Sequence, residues 1–575
     1  MSAICLQRAY EYGGLDHCRS DFWIAPCLVR LFLSVWQVGD ADPDNEADWT
    51  VTGEVGWGAQ PPSSHRTHQP RKTKLQAPAP APAPPLHLPE PDIESTSESP
   101  TGIEDNMGGE ELRFDRWGYG VKTSSDACIT AINAFYHQVL SYGRDRKVIL
   151  EAVRHDENCV LANILAAHLL SYWDPSRAST CLEAARSRLE QATAYEKAVF
   201  DAVSSLIMEN RDDDMAVGLH FKLLKEFPRD MLSLKRAQIL CFYMGQPDLS
   251  LKLVEQVLPV NQQEDYIYGM LAFPLLELGR MEDAEKAAKK GFDINEKDCW
   301  AQHALCHVLH FECRFKEAVE FMEQCSETWS SCMSFMLTHN WWHVSLCCLE
   351  GHAPITRVLE IYDARIVKEL ERPDAVCVEV LLNALGLLLR LHVRGHINAT
   401  EDRLKSLIDR LTDRASWHIE WLVDVLCLWA LACVREVSEA EDLFCGLKSR
   451  FSKMTKKKQI TMQQGIVLAE ALLEYGKGNN GRALELLGPD FNAYSCKMIG
   501  ASDEQLDVFS EVWYVVLLNN GQAEKAIEAM ENQVNKRNGA PFLWHLLERG
   551  YKLLGRPEAA VAGEKARALE KAYFE

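Results

Sequence analysis

His303, His307 and His310 stand at i, i+4 and i+7, and one repeat later come His339, Asn340, Trp341, Trp342 and His343. Residues four apart share a helical face. Two His-x-x-x-His pairs on adjacent helices can therefore gather four imidazoles, those of His303, His307, His339 and His343, around zinc or another borderline metal. No Asp or Glu stands beside them in the sequence as a further ligand. The same side chains, with Trp300, also suit a pocket for a peptide or small ligand, because indole and imidazole offer both stacking and hydrogen bonds. A third reading is structural, with each imidazole bonded to a carbonyl across packed helices.

Catalysis finds little support in the sequence. It contains no Gly-x-Ser-x-Gly, phosphate loop, dinucleotide fingerprint or His-Glu-x-x-His. Cys306 and His307 are adjacent, which on a helix turns their side chains about 100° apart and separates thiol from imidazole. The chain is expected not to be an enzyme and to need no cofactor, a metal at the histidines being the exception.

The elements that must hold these histidines are set by a period. Ala216, Ser250, Ala284 and Ala318 follow one another at 34 residues, as do Gly245 and Gly279, with Cys313 in the next equivalent place. The spacing returns in Gly521 to Gly555 and Ala526 to Ala560. A 34-residue period marks stacked helical hairpins, in which no unit buries its apolar face alone. The sequence therefore predicts an all-α, right-handed tetratricopeptide-type solenoid, its clearest repeats at 211–330 and 506–571. Amphipathic spans such as Asp126 to Tyr142, Met231 to Met244, Asp298 to Phe311 and Ile419 to Val434 fit it. Between Gly351 and Gln459 the period loosens, which predicts longer or irregular pairs. Counted from Ala318 as the twentieth position, His303, His307 and His310 take positions five, nine and twelve, which face the concave groove of such units.

The remaining chain narrows the partners. A net charge of -22 argues against nucleic acid or an anionic membrane, both of which need a basic face. Lys456, Lys457 and Lys458 read as a solvated helix start. The 19 cysteines are scattered, with no Cys-x-x-Cys, and read as small buried thiols in a reducing, cytoplasmic setting. Asn398-Ala-Thr matches a glycosylation sequon that such a setting leaves unused. Phe22 to Val38 is interrupted by Arg30 and is marginal as a membrane span. The Pro-, Ser- and Ala-rich stretch from Gln60 to Pro100 cannot pack a core. Residues 1–106 are read as a poorly ordered extension or a gene-model artefact, and 107–575 as the solenoid.

The runs Met231-Leu-Ser-Leu-Lys, Asp298-Cys-Trp-Ala-Gln-His-Ala-Leu-Cys-His307, Glu320-Phe-Met-Glu-Gln-Cys-Ser-Glu-Thr-Trp329 and His339-Asn-Trp-Trp-His343 resemble the tetratricopeptide repeat protein 38 family. The resemblance runs from about Met107 to the C-terminus. It implies an all-helical cytosolic repeat protein without an established reaction, and His303, His307, His339, Asn340, Trp342 and His343 match its motif. The chain departs from it at His310, where the resemblance implies a glutamate; Glu312 stands two places later. The expected function is a scaffold that binds a protein or peptide partner through a concave groove of Trp300, His303, His307, His310, His339, Asn340, Trp342 and His343. The first alternative is a metal-binding protein using His303, His307, His339 and His343. The second is a self-associating structural protein whose aromatic groove is buried in a homo-oligomer.

Overall fold

The computed structural model describes residues 112–208 and 211–574. The N-terminal extension, the apolar stretch Phe22 to Val38 and the Pro-rich stretch lie outside the described residues. Within them are 25 α-helices and one pair of short strands, Leu112–Phe114 and Gly120–Lys122, antiparallel with Arg113 opposite Val121. The strands are three residues each, too short for any alternation to register. No described helix is long and apolar enough to cross a membrane.

The helices pair as hairpins: Met231–Tyr243 with Pro247–Val257, Ile267–Glu277 with Met281–Ile294, Cys299–Phe311 with Phe315–Cys325, and so on to Pro541–Leu553 with Glu558–Phe574. The small residues of the period, Ala216, Ser250, Ala284 and Ala318, are all buried. The turn position is left-handed at Gly245 (φ 62°), Gly279 (φ 74°), Cys313 (φ 59°), Gly521 (φ 72°) and Gly555 (φ 64°). That conformation closes the first helix and reverses the chain. Nothing lies within 4 Å of where a Cβ on Gly279 would stand. Gly279→Val is therefore expected to cost about 1–2 kcal/mol from backbone strain alone, seen as a lower urea midpoint.

The middle of the chain is irregular. Helix Ile355–Ile361 runs through a π-helical turn, Tyr362–Ile366, into a 3-10 segment, Val367–Glu371, and Ile397–Ser406 breaks before Ile408–Leu411. These extra turns absorb residues that a strict period has no place for.

The later hairpins return to touch the earlier ones. Tyr243 Oη donates to Glu420 Oε1 at 2.8 Å across 177 residues, and Lys497 Nζ reaches Glu277 Oε2 at 3.0 Å across 220. Helix Asp503–Asn519, started by a capping box of Ser502 and Gln505, packs on helix Cys377–Val393. The inner face of the helices around Cys299–Phe311 is thus covered by the chain's own C-terminal half. The open concave groove expected from the sequence is not present at this point: His303, His307, His310, His339, Asn340, Trp342 and His343 are all buried, and Trp300 is half-buried. Positions five, nine and twelve do point inward; what they meet there is more of the same chain.

Candidate functional site

Two helices carry the histidines. Cys299–Phe311 begins at buried Asp298, whose carboxylate accepts from the Trp300 and Ala301 amides at 3.0 and 3.1 Å. Ser334–Glu350, the first helix of the next hairpin, lies alongside it. The register brings His303, His307, His339 and His343 together, with potential ligand atoms all within 4.8 Å of one another. Ring centroids are 4.4 Å apart for His303–His307 and for His307–His343, 4.7 Å for His303–His343 and 4.8 Å for His339–His343. The Nε2 atoms of His303 and His307 are 2.9 Å apart.

The outer edges of two rings are fixed by polar partners. Asn383 donates through Nδ2 to Thr338 Oγ1 at 2.8 Å and to the Glu379 carbonyl at 3.1 Å. Its Oδ1 is left to accept, so the His339 Nδ1 that lies 2.7 Å from it carries the proton. His307 Nδ1 lies 2.7 Å from Glu504 Oε2 on the covering helix, an ion-pair contact whose angles are not those of a hydrogen bond. Nε2 of His307 meets Nε2 of His303, and Nε2 is the nitrogen His339 has left free. His343, with no exposed surface, has neither nitrogen bonded.

Aromatic rings wall the cluster. Trp300 stacks on His303 at 4.8 Å and 18°, Phe335 on His339 at 4.9 Å and 18°, and Trp342 on the other side of His339 at 5.2 Å and 6°. Burial, followed by the neighbouring imidazoles, pushes the His303 and His343 pKa values well below the ordinary range. Burial likewise takes His339 down to about 4. Burial also opposes the charged form of His307, but Glu504, with Glu277 and Asp503 behind it, outweighs this and holds its pKa up. Three neutral imidazoles thus surround a fourth that is paired with a carboxylate.

His310 does not join them. It lies a turn further along, where Arg537 Nη2 is 3.3 Å from its Nε2, and burial followed by that guanidinium lowers its pKa to about 3. Cys306 likewise lies against Cys347 on the next helix, where burial, followed by Cys306, pushes the Cys347 thiol well up and makes it a poor nucleophile.

Beside the histidines is a cavity of about 110 Å³. Tyr142, Phe242, Phe273, Trp300 and Phe335 supply aromatic wall, and His303 and His339 form one side. Lys235, only 4% exposed, also lines it. Its Nζ donates to Tyr142 Oη at 2.6 Å and lies 3.8 Å from the Tyr142 ring centroid and 4.7 Å from that of Trp300. Among the described residues no carboxylate forms an ion pair with it. The other charges near the cavity have partners: Lys497 sits between Glu277 (3.0 Å) and Asp503 (2.7 Å), burial raising the pKa of both carboxyls, and burial drives Glu420, bonded by Tyr243, toward its neutral acid.

Sequence reasoning singled out the four histidines but not Lys235, Asn383 or Glu504. A signal existed for Lys235: His303 follows it by two 34-residue periods, so the two take the same inward position, with Gly269 between them. Gly269 explains how Trp300 reaches the cavity. A Cβ there would stand 2.9 Å from the Ala301 nitrogen and 3.2 Å from Trp300 Cδ1. For Glu504, some 200 residues away, no local pattern exists.

No family model matches the sequence. Among solved structures, the human IFIT1 dimer with m7Gppp-AAAA is similar at 15% identity and a TM-score of 0.33, covering 78% of this chain and 91% of that one. A monomeric IFIT1 mutant with Gppp-AAAA has 14% identity, a TM-score of 0.34 and the same coverage. Naa15/Naa10 bound to HypK-THB has 14% identity and a TM-score of 0.21, over 66% of this chain and 64% of that one. At such identities and scores nothing about this chain's own ligands follows from them.

Proposed function

We propose that this chain is a non-enzymatic binding scaffold of the tetratricopeptide repeat protein 38 type, and that it receives a carboxylate attached to a flat apolar group in the cavity beside Lys235. The observation that carries this reading is a buried lysine, at the wall of an aromatic cavity, that no carboxylate among the described residues reaches within ion-pair distance. Buried charges are ordinarily paired, and here the missing partner is an anion. Tyr142, Trp300 and Phe273 provide the faces on which a ring stacks. An apolar cavity of about 150 Å³ takes benzene, so at about 110 Å³ this one admits no more than a single ring.

Two sources share that chemistry: a free aryl carboxylate, or the C-terminal residue of a protein or peptide partner. Phenylacetate and a short peptide ending in phenylalanine separate them in calorimetry and thermal-shift titration. At about 100 times Kd a ligand stabilises the protein by about 2.7 kcal/mol. Lys235→Met, which keeps most of the stem and removes the charge, is expected to abolish that shift for whichever source binds. Equal shifts in Lys235→Met, or equal binding of phenylacetamide, would overturn the reading.

The pH dependence has a definite sign. Burial lowers the Lys235 pKa to about 7, against Cys299 and Asp298, which raise it, while Arg146 lowers it further. The ammonium form is therefore present below about pH 7 and lost above it. Anion affinity is expected to fall as pH rises through that value.

A further inference from the structure

We infer that His303, His307, His339 and His343 bind one divalent transition-metal ion of the zinc class inside the superhelix. The inference goes beyond the carboxylate reading and does not depend on it. It stands on the convergence of four imidazoles, on the Asn383 bond to His339 and the Glu504 carboxylate beside His307, and on the nitrogens of His303, His307 and His343 left without hydrogen bonds.

Convergence comes first. A tetrahedral ion with bonds of about 2.0 Å to nitrogen sets its ligands roughly 3.3 Å apart. The His303 and His307 Nε2 atoms are 2.9 Å apart, and the whole set lies within 4.8 Å. Rotations of the rings by a few tenths of an ångström to about 1 Å at the nitrogen complete the geometry, well within what side-chain torsions supply.

A metal-bound imidazole ordinarily gives its second nitrogen to a carboxylate or an amide or backbone oxygen, which fixes the tautomer and aims the lone pair. His307 has Glu504 Oε2 at 2.7 Å and His339 has Asn383 Oδ1 at 2.7 Å. That leaves Nε2 as the nitrogen each has free for an ion, and His307 Nε2 already meets His303 Nε2. Glu504 also brings a buried negative charge to a site of otherwise neutral ligands, where a dication needs one.

The orphaned nitrogens separate this reading from a purely structural one. Within the four rings a single pair is bonded directly, His303 with His307. His343 has both nitrogens buried and unpartnered. Buried side-chain polar atoms are rarely left so, and an ion at the centre gives His343 its partner. The ligand set selects the metal class: imidazoles suit zinc, cobalt, iron, nickel or copper, whereas calcium and magnesium demand oxygen. Four protein ligands fill a tetrahedral zinc ion, the closed pattern of a site that holds structure together.

The test uses the full chain, purified without a histidine tag, stripped with a chelator and titrated with Co²⁺ and with Zn²⁺. Expected are about one equivalent of either ion by elemental mass spectrometry and, for cobalt, the visible absorption of a tetrahedral complex. His343→Asn is expected to weaken binding at least about 100-fold. Asn383→Ala, which leaves all four ligands in place, is expected to weaken it about 10- to 100-fold through the loosened His339 ring. His168→Asn, a buried histidine outside the cluster, should leave stoichiometry and affinity unchanged. The inference is overturned if protein that is helical by circular dichroism takes up less than about a tenth of an equivalent. It is also overturned if uptake is the same in His343→Asn and Asn383→Ala as in the wild type, which would place the ion elsewhere. Should His343→Asn fail to fold, Asn383→Ala and the cobalt spectrum of the wild type still decide. Phenylacetate binding is scored separately, so loss of one reading leaves the other standing.

Discussion

Glu350→Ala is expected to destabilise the protein by about 3–5 kcal/mol, the scale on which breaking a buried ionic network from one side acts. Glu350 ends helix Ser334–Glu350 and is 4% exposed. Its carboxylate pairs with Arg394 and lies 3.8 Å from Arg537 Nη2. Arg394 also reaches Glu511 at 2.6 Å, Arg537 reaches Asp507 at 3.0 Å, and Arg390 donates to the Glu504 carbonyl. The network joins the histidine-bearing helix to Cys377–Val393 and to the covering helix Asp503–Asn519. Removing its central anion leaves two buried guanidiniums undercompensated. The urea midpoint, followed by circular dichroism, should fall sharply, and Glu350→Gln should recover only part of the loss. Burial opposes ionisation of Glu350, but Arg394 and Arg537 win and hold its pKa below the ordinary carboxylate value. Its contribution is therefore present above that ordinary value and is lost as pH falls through the folded one. An unchanged midpoint in Glu350→Ala would show that the covering helix does not depend on this network.

Trp329→Ala is the second large effect, expected at about 3–5 kcal/mol. Trp329 is fully buried behind the histidine helix, packs edge-on against Trp341 at 5.3 Å and donates Nε1–H to Gln302 Oε1 at 2.7 Å. Gln302 in turn donates to the Glu296 carbonyl at 2.7 Å, which fixes its amide orientation. Truncation opens a cavity and strands the Gln302 oxygen. Trp329→Phe keeps most of the volume and loses the hydrogen bond, so it should cost only about 1–2 kcal/mol. Chemical denaturation of the three proteins separates the two contributions, and equal losses for alanine and phenylalanine would make the hydrogen bond, rather than the packing, dominant.

What could be read in the sequence is what repeats or stays local. Gly245, Gly279 and Cys313, one period apart, all adopt the left-handed turn. Asp298 to Phe311 was legible as a helix because apolar spacing and a capping aspartate act over a few residues. The two His-x-x-x-His pairs were legible for the same reason, and the adjacency of their helices followed from the repeat. What was not legible is long-range. Glu504 against His307, Lys497 against Glu277 and Arg537 against His310 each join residues about 200 or more apart. No spacing rule reports such a pairing, and it decides whether an inward face is an open groove or an interior. The strand pair at 112–122 escaped because three residues carry too little alternation.

The straps between Tyr243 and Glu420 and between Glu277 and Lys497 have a consequence for how this molecule can change over generations. An open array of repeats tolerates gain or loss of a unit, because each hairpin meets only its neighbours and the ends drift apart or together without penalty. Here a unit inserted or deleted between residues 277 and 420 would rotate one strapped partner away from the other. It would also carry Asp503–Asn519 off the histidines. The repeat count of this stretch is therefore locked, and variation in length is expected only where no strap spans it.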